Sequence, residues 1–230
     1  IIMMDHSSDT IFTYDGKGTV LHSFKISGID SFDALATGDM RGSGKHDIIF
    51  SDHSLNVFSI YNWYGIKIGS FNKDLEAHDL IASGDVWQDK KDEIVMGDLS
   101  QDRVFIMRID GSLCDSFSVT LEAGDALAVG NAVHTWPVDK KEIIIGDKSE
   151  DKIYIYRSDG KLYETVPLEF DDFDGLLAGN LTGSFNDDIL LADLSRNVLD
   201  IHSDARIAGK KYLLTDLVHY IHPFLQPYFG

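Results

Sequence analysis

Residues 93–111 read EIVMGDLSQDRVFIMRIDG and contain the motif that recurs through the chain. Two apolar runs, Ile94–Met96 and Val104–Met107, flank a turn of the form Asp-x-Ser-x-Asp/Asn. The chain contains five copies of that turn: Asp5–Asp9, Asp52–Asn56, Asp98–Asp102, Asp147–Asp151 and Asp193–Asn197. Their leading aspartates lie 46 to 49 residues apart. A period in the forties built from short strands is typical of a β-propeller rather than of an ordinary sandwich.

One repeat contains enough apolar segments for four strands. Leu80–Ser83 is a short apolar segment that suits an inner strand, and Ile94–Met96 supplies the second. Arg103–Arg108 alternates between polar and apolar residues and supplies the third. Asp110-Gly111 is a hairpin signal, so Ser112–Val119 is predicted as the outer strand. Four strands joined as a meander make one propeller blade.

The repeats cover the whole chain, so we predict one domain over residues 1–230. The chain begins at a second strand, Ile1–Met4, and the first blade therefore lacks an inner strand. Thr215–Tyr220 is an apolar segment that we predict to fill this place, although Leu213–Tyr220 also has the spacing of a capping helix. The predicted fold is all-β: a five-bladed propeller of four-stranded blades, closed by the C-terminal segment.

The composition restricts the partners. Acidic residues outnumber basic ones by 38 to 20, which gives a formal net charge of −18. This charge disfavours nucleic acid and anionic membranes, and it favours cations, basic partners or neutral ligands such as glycans. Solubility alone is an alternative reason for the charge. No apolar run reaches about eighteen residues, so no membrane insertion is expected.

The blade pattern resembles the FG-GAP/VCBS repeats of integrin α-chain heads and related propellers. The motifs that carry the resemblance lie in residues 79–111: Gly84-Asp85, Glu93–Val95, Gly97-Asp98 and Asp110-Gly111. The resemblance implies a binding or scaffolding role, an extracellular or secreted location, and calcium in the loops between first and second strands.

Those loops depart from the family pattern. Calcium takes six to eight oxygen ligands, but Arg41, Lys45 and Lys91 stand at the positions where ligands are expected. Only the loop Asn180–Asp188 keeps polar oxygens at alternate positions. We therefore predict no cofactor, with calcium at most weakly bound.

Two sets of acidic or amide side chains are predicted on one face of the propeller. The inner set precedes the inner strands and consists of Asp33, Asp79, Asp125, Asp174 and Asp216. The outer set closes the Asp-x-Ser turns and consists of Asp9, Asn56, Asp102, Asp151 and Asn197. Both sets are candidate ligand-binding residues, because their oxygens can accept hydrogen bonds from sugar hydroxyls. The alternative is a folding role, since Asp and Asn in such places bind neighbouring backbone amides.

Residues that differ between blades indicate a functional site better than residues shared by all repeats. On the acidic face these are His6, His53, His78, Phe32 and Phe173, although the three histidines are expected to be too scattered for a zinc site. Exposed tryptophans on the opposite face, Trp87 and Trp136, are an alternative surface for stacking against sugars.

The sequence contains no GxSxG, HExxH, P-loop or Rossmann motif. We therefore predict a non-enzymatic, lectin-like protein that binds a glycan or glycoprotein. The alternatives are a protein-interaction or adhesion scaffold, and a five-bladed glycosidase with carboxylates at the channel mouth. Five near-equivalent aspartates argue against the glycosidase, because a catalytic acid and base need different environments.

Overall fold

The computed structural model describes residues 1–132, 141–171, 174–180, 187–193, 195–202 and 210–213. These residues form 19 β-strands and contain no helix. Within them, nothing resembles an apolar helix that could cross a membrane. The chain divides into two compact units, Ile1–Leu121 and Glu122–Gly230, which are described separately below.

The first unit holds three antiparallel sheets, here called blades 1 to 3. Blade 1 consists of β1 (Ile2–Asp5), β2 (Thr10–Tyr14) and β3 (Val20–Lys25), in that order. Blade 2 consists of β4 (Ala34–Gly38), β5 (Asp47–Asp52), β6 (Val57–Tyr61) and β7 (Lys67–Asn72). Blade 3 consists of β8 (Leu80–Gly84), β9 (Glu93–Asp98), β10 (Arg103–Met107) and β11 (Leu113–Ser118). Each blade is a simple meander.

The second unit holds two four-stranded sheets of the same kind. Blade 4 consists of β12 (Ala126–Gly130), β13 (Glu142–Asp147), β14 (Lys152–Tyr156) and β15 (Leu162–Pro167). Blade 5 consists of β16 (Gly175–Gly179), β17 (Asp188–Asp193), β18 (Val198–His202) and β19 (Lys210–Leu213). All strand pairs are antiparallel.

The predicted fold class, an all-β five-bladed propeller, is confirmed. Blade 1 shows three strands among the described residues. Thr215–Tyr220, which we predict to supply its fourth, lies outside the described residues. Closure by the C-terminal segment therefore stays a prediction, as does the single domain over residues 1–230.

The second strand of each complete blade in the first unit is its most buried element. All six residues of β5 and of β9 are buried, including the apolar Ile48–Phe50 and Ile94–Met96. The outer strands β7 and β11 are less buried and contain only exposed and half-buried residues. Sheets covered on both faces need continuous apolar strands, and this explains why the second strands read as apolar runs in the sequence.

Gly38 and Gly130 end their inner strands at places where the neighbouring blade lies too close for a side chain. A Cβ on Gly38 would lie 2.9 Å from the Cβ of Asp92. The Asp92 carboxylate accepts a hydrogen bond from the Asp39 amide at 2.6 Å, which ties blade 2 to blade 3. The second unit repeats the device, where Asp187 accepts from the Asn131 amide at 2.8 Å.

In blades 1 to 4, each turn between the third and fourth strands has a glycine with positive φ as its fourth residue. These glycines are Gly18, Gly65, Gly111 and Gly160. Their amides donate to Asp15, Asn62, Arg108 and Arg157 respectively, three residues earlier in each case. All four turns have the same length, and the left-handed conformation falls on the same turn position in each.

Candidate functional site

The Asp-x-Ser turns are built by their own polar side chains. In each copy the serine hydroxyl donates to the leading aspartate, at 2.7 to 2.9 Å. The closing residues, our predicted outer set, all have positive φ: Asp9 (52°), Asn56 (57°), Asp102 (49°), Asp151 (53°) and Asn197 (56°). Asp and Asn tolerate this left-handed conformation better than most residues. The repeated motif is therefore accounted for by turn geometry.

Four of these closing side chains also anchor the chain beyond the blade. Their Oδ1 atoms accept from the amides of Ile29, Leu75, Leu121 and Phe170, at 2.8 to 3.3 Å. Each of those amides begins the connection to the next repeat. In each of these four closing residues, one side-chain oxygen therefore accepts a hydrogen bond from a backbone amide. Their role as ligand-binding residues stays a prediction.

The inner aspartates are buried and hydrogen-bonded in one common pattern. Asp33, Asp79, Asp125 and Asp174 are 6 to 9% exposed. Their Oδ2 atoms accept from the amides of Asp30, Glu76, Glu122 and Asp171, each at 2.8 Å. The Oδ1 atoms of the first three accept from His53, Leu99 and Lys148 at 3.0 to 3.2 Å. The predicted fifth member, Asp216, lies outside the described residues.

Burial dominates the electrostatics of this inner set. It raises the pKa values of Asp33, Asp79 and Asp125 above the ordinary value, and the backbone hydrogen bonds oppose the shift. The three carboxylates thus share the same surroundings and the same direction of pKa shift. None of them is set apart as an acid or a base.

Two of the predicted histidines meet around an exposed phenylalanine. The Phe32 ring lies 5.4 Å from the His53 ring and 5.3 Å from the His78 ring, measured between centroids, and both contacts are edge-on. Phe32 is 42% exposed. We call these three residues the aromatic cluster. The Phe32 ring thus lies beside two of the three histidines. That the three histidines are too scattered for a zinc site stays a prediction.

The cluster arises from one repeat position and one turn. Phe32 and His78 occupy equivalent places, each directly before an inner aspartate, and blade 4 has Gly124 there. Gly124 has φ 100° and His78 has φ 75°, so His78 holds a left-handed conformation that glycine adopts more easily. Such backbone strain is most common at functional sites. The remaining member, His53, comes from the β5–β6 turn.

Carboxylates border the aromatic cluster. The Asp30 side chain accepts from the Phe32 amide at 2.8 Å, and its other oxygen lies 3.6 Å from Nδ1 of His53. Asp30, Asp33 and His53 each bring a donor atom within 4.8 Å of the other two, and Asp171, Asp174 and Asp193 form a similar group in the second unit. Three donors fall short of the six to eight oxygens that calcium takes.

Beside the same turn lies a shallow depression of about 270 Å³. Its lining is Leu55, Asn56, Asn72, Lys73 and Asp74, and we call it the blade-2 depression. The Lys73 ammonium lies 4.0 Å from the centroid of the Phe105 ring and 3.8 Å from the Asp98 carboxylate, which hold it in place. Asn56 is therefore the one predicted outer-set residue that lines a depression described here.

Sequence reasoning missed this depression, although a signal for it exists. The Lys73 amide donates to Asn56, and the amides of Ile26, Val119 and Leu168 make the same bond in blades 1, 3 and 4. A lysine thus stands where the other three copies are aliphatic. Reading the repeats against one another at this position would have marked blade 2 as different.

The loops expected to hold calcium are organised by other contacts. In the Asp39–Asp47 loop, Asp39 accepts from the amides of Ser43 and Gly44, and the Arg41 guanidinium binds both oxygens of Asp47 at 3.0 and 2.7 Å. Residues 181–186 of the Asn180–Asp188 loop lie outside the described residues. Trp136, Phe173 and Asp172 also lie outside them, whereas Trp87 is described and is 44% exposed.

Comparisons with known proteins find similar folds among solved structures. No family model matches the sequence, and no match is found among curated proteins. Solved structures do match. One is a protein of unknown function from Bacteroides caccae, with TM-score 0.60, 10% identity, and coverage of 94% of this chain and 73% of that one. A second is streptogramin B lyase, with TM-score 0.58, 15% identity, and coverage of 92% and 64%.

A third similar structure is a lectin from Agrocybe aegerita, solved for its recognition of non-reducing terminal N-acetylglucosamine. Its TM-score is 0.53 at 13% identity, with coverage of 89% of this chain and 60% of the lectin. The chain thus spans 60 to 73% of the length of these three proteins. At such identities the likeness concerns the fold, which a lyase and a lectin share.

Proposed function

We propose that this protein is a non-enzymatic, lectin-like binding protein that recognises glycans at the aromatic cluster. The observation that carries the proposal is the exposed Phe32 ring, held edge-on between His53 and His78 and bordered by the Asp30 carboxylate. This combination differs from the blade-4 copy, where glycine replaces the aromatic residue.

An exposed aromatic ring suits a sugar because one face of a sugar ring presents C–H groups. Those groups pack against the ring and remove apolar area from water. Phe32 is held on two sides by imidazoles, so stacking on it costs little side-chain entropy. The free area of the ring, given by its 42% exposure, is the stacking surface.

Polar groups around the ring suit the sugar hydroxyls. Asp30 is half-buried and lies two residues before Phe32, and Glu76 is exposed and lies two residues before His78. Carboxylates accept hydrogen bonds from hydroxyl groups and so fix the orientation of the sugar, which stacking alone does not define. Asp33 contributes differently, because its two oxygens fix the Asp30 and His53 amides.

Binding is favoured over glycoside hydrolysis by the sameness of the inner aspartates. Hydrolysis needs two carboxyl groups in different environments. Asp33, Asp79 and Asp125 have backbone partners at equivalent positions of the repeat and the same main cause of a raised pKa, which is burial. The similarity to streptogramin B lyase concerns the fold and brings no reacting group to this chain.

A protein-interaction scaffold is the second candidate. It is favoured by exposed apolar side chains in blades 1 and 2, where Val20, Leu21, Tyr64 and Ile66 are 41 to 62% exposed. Under either candidate we propose that the blades are of the FG-GAP/VCBS type and that the protein works outside the cell. No metal or other cofactor enters this proposal.

The test is a glycan array probed with the intact protein and with two matched variants. Phe32→Ala should lower the affinity for every recognised glycan by about tenfold or more, because one aromatic contact is lost. Tyr64→Ala removes another exposed aromatic ring, 56% exposed, and should leave binding unchanged. Equal binding by the Phe32→Ala variant, or an array without any bound glycan, would reject the proposal. Release of reducing sugar from a bound glycan would show an enzyme instead.

A further inference from the structure

The blade-2 depression is the second unusual surface of the first unit. Two of its residues, Asn72 and Asp74, are exposed and flank Lys73. Their counterparts in blade 3 are Ser118 and Thr120, which flank Val119. Blade 2 therefore offers amide and carboxylate groups at a place where blade 3 offers short hydroxyls beside an aliphatic side chain.

Two chain segments join this depression to the aromatic cluster. The β5–β6 turn carries His53 of the cluster and then Leu55 and Asn56 of the depression. The connection to blade 3 carries Asn72–Asp74 of the depression and then His78 of the cluster. His53 and Leu55 are two residues apart, so their Cα atoms lie within about 7 Å. The two surfaces thus share these two chain segments, and we call them together the strip.

We infer that the ligand is an oligosaccharide that lies along this strip, with one sugar residue on Phe32 and a neighbouring one in the blade-2 depression. The inference rests on the proposed function and adds a second subsite to it. Leu55 lines the depression two residues after His53, is 68% exposed and offers an apolar contact to the sugar rings. The Asn56, Asn72 and Asp74 side chains supply donors and acceptors for the second residue.

The charges along the strip select the class of sugar. Asp30 borders the cluster, Glu76 lies two residues before His78, and Asp74 lines the depression. The one cation of the depression, Lys73, already lies 3.8 Å from the Asp98 carboxylate. A uronate or sialate would bring a further negative charge to this surface, which costs affinity. The strip therefore suits neutral oligosaccharides.

The experiment measures dissociation constants for sugar series of one to four residues. The probes are neutral series built from glucose, mannose, galactose and N-acetylglucosamine, and one acidic series built from galacturonate. In the neutral series that binds, affinity should rise about tenfold or more from one residue to two, as a second set of contacts forms. The galacturonate series should bind more weakly at every length.

Variants separate the two subsites. Asn72→Ala with Asp74→Ala should abolish the gain from the second residue and leave binding of the single sugar unchanged. The matched control, Ser118→Ala with Thr120→Ala in blade 3, should keep the full gain. If wild-type protein binds one and two residues equally, the subsite is refuted while the proposed function stands. If no series binds at all, both are refuted.

Discussion

Truncating the inner aspartate of blade 3, Asp79→Ala, should destabilise the protein by about 2 kcal/mol. The Asp79 carboxylate is 9% exposed and accepts from the Glu76 amide at 2.8 Å and from the Leu99 amide at 3.1 Å. A hydrogen bond to a charged group contributes about 1.5–3 kcal/mol, so two such bonds set the upper end of the loss. Burial of the charge, which raises the pKa of Asp79, offsets part of it.

The assay is urea unfolding of the variant beside wild type at neutral pH. The free energy of unfolding follows from the midpoint and a shared slope. Asp79→Asn keeps one acceptor oxygen and should lose about half as much as Asp79→Ala. Asp74→Ala removes an exposed carboxylate and should change the free energy by less than about 0.5 kcal/mol. An Asp79→Ala loss no larger than that of Asp74→Ala would refute the structural role of the inner aspartates.

Three further predictions follow from buried or strained positions. Burial raises the pKa of Glu93 to about 7 from 4.5, so its contribution to stability should fall as pH rises between these values. Glu93→Gln should flatten that dependence. The prediction is contradicted if the wild-type urea midpoint changes between pH 5 and pH 8 by no more than that of the variant. Gly65→Ala should lower the free energy of unfolding by about 1–3 kcal/mol, because φ at this position is 81° and the new Cβ would lie 2.4 Å from the Phe24 ring. Gly44→Ala is the control, with φ 74° and no atom within 4 Å of the new Cβ. Thermal melts should show a smaller loss for this control. Calorimetry at near-millimolar calcium should reveal no tight site in the Asp39–Asp47 loop, because Arg41 occupies both Asp47 oxygens; a micromolar site mapped there would overturn this.

The fold could be predicted because the repeat carries redundant signals. The apolar second strands, the glycines after the inner strands and the Asp-x-Ser turns each appear in several copies. The register of the turns between third and fourth strands was harder to predict: in blade 1 the positive φ falls on Gly18 and not on Gly16. Two glycines lie in the same turn, and only the hydrogen bond from Gly18 to Asp15 distinguishes them.

The candidate site was predicted only in part. Phe32, His53 and His78 stand out in the sequence as departures from the repeat, but their meeting depends on how blade 2 and blade 3 bring a loop and a turn together. The repeated aspartates attracted a ligand hypothesis because their backbone partners, such as the Leu99 and Leu75 amides, are far away in sequence. A pattern of residue types does not show which acceptors the fold already uses.

The most direct test of the account is an NMR titration that follows the histidine ring protons while a glycan from the array is added. Signals of His53 and His78, assigned with His→Gln variants, should shift together with one dissociation constant, because both rings contact the Phe32 stacking surface. His46 is exposed and belongs to neither the cluster nor the blade-2 depression, so its signal should stay in place. Unmoved His53 and His78 signals at saturating glycan would contradict glycan recognition by the aromatic cluster.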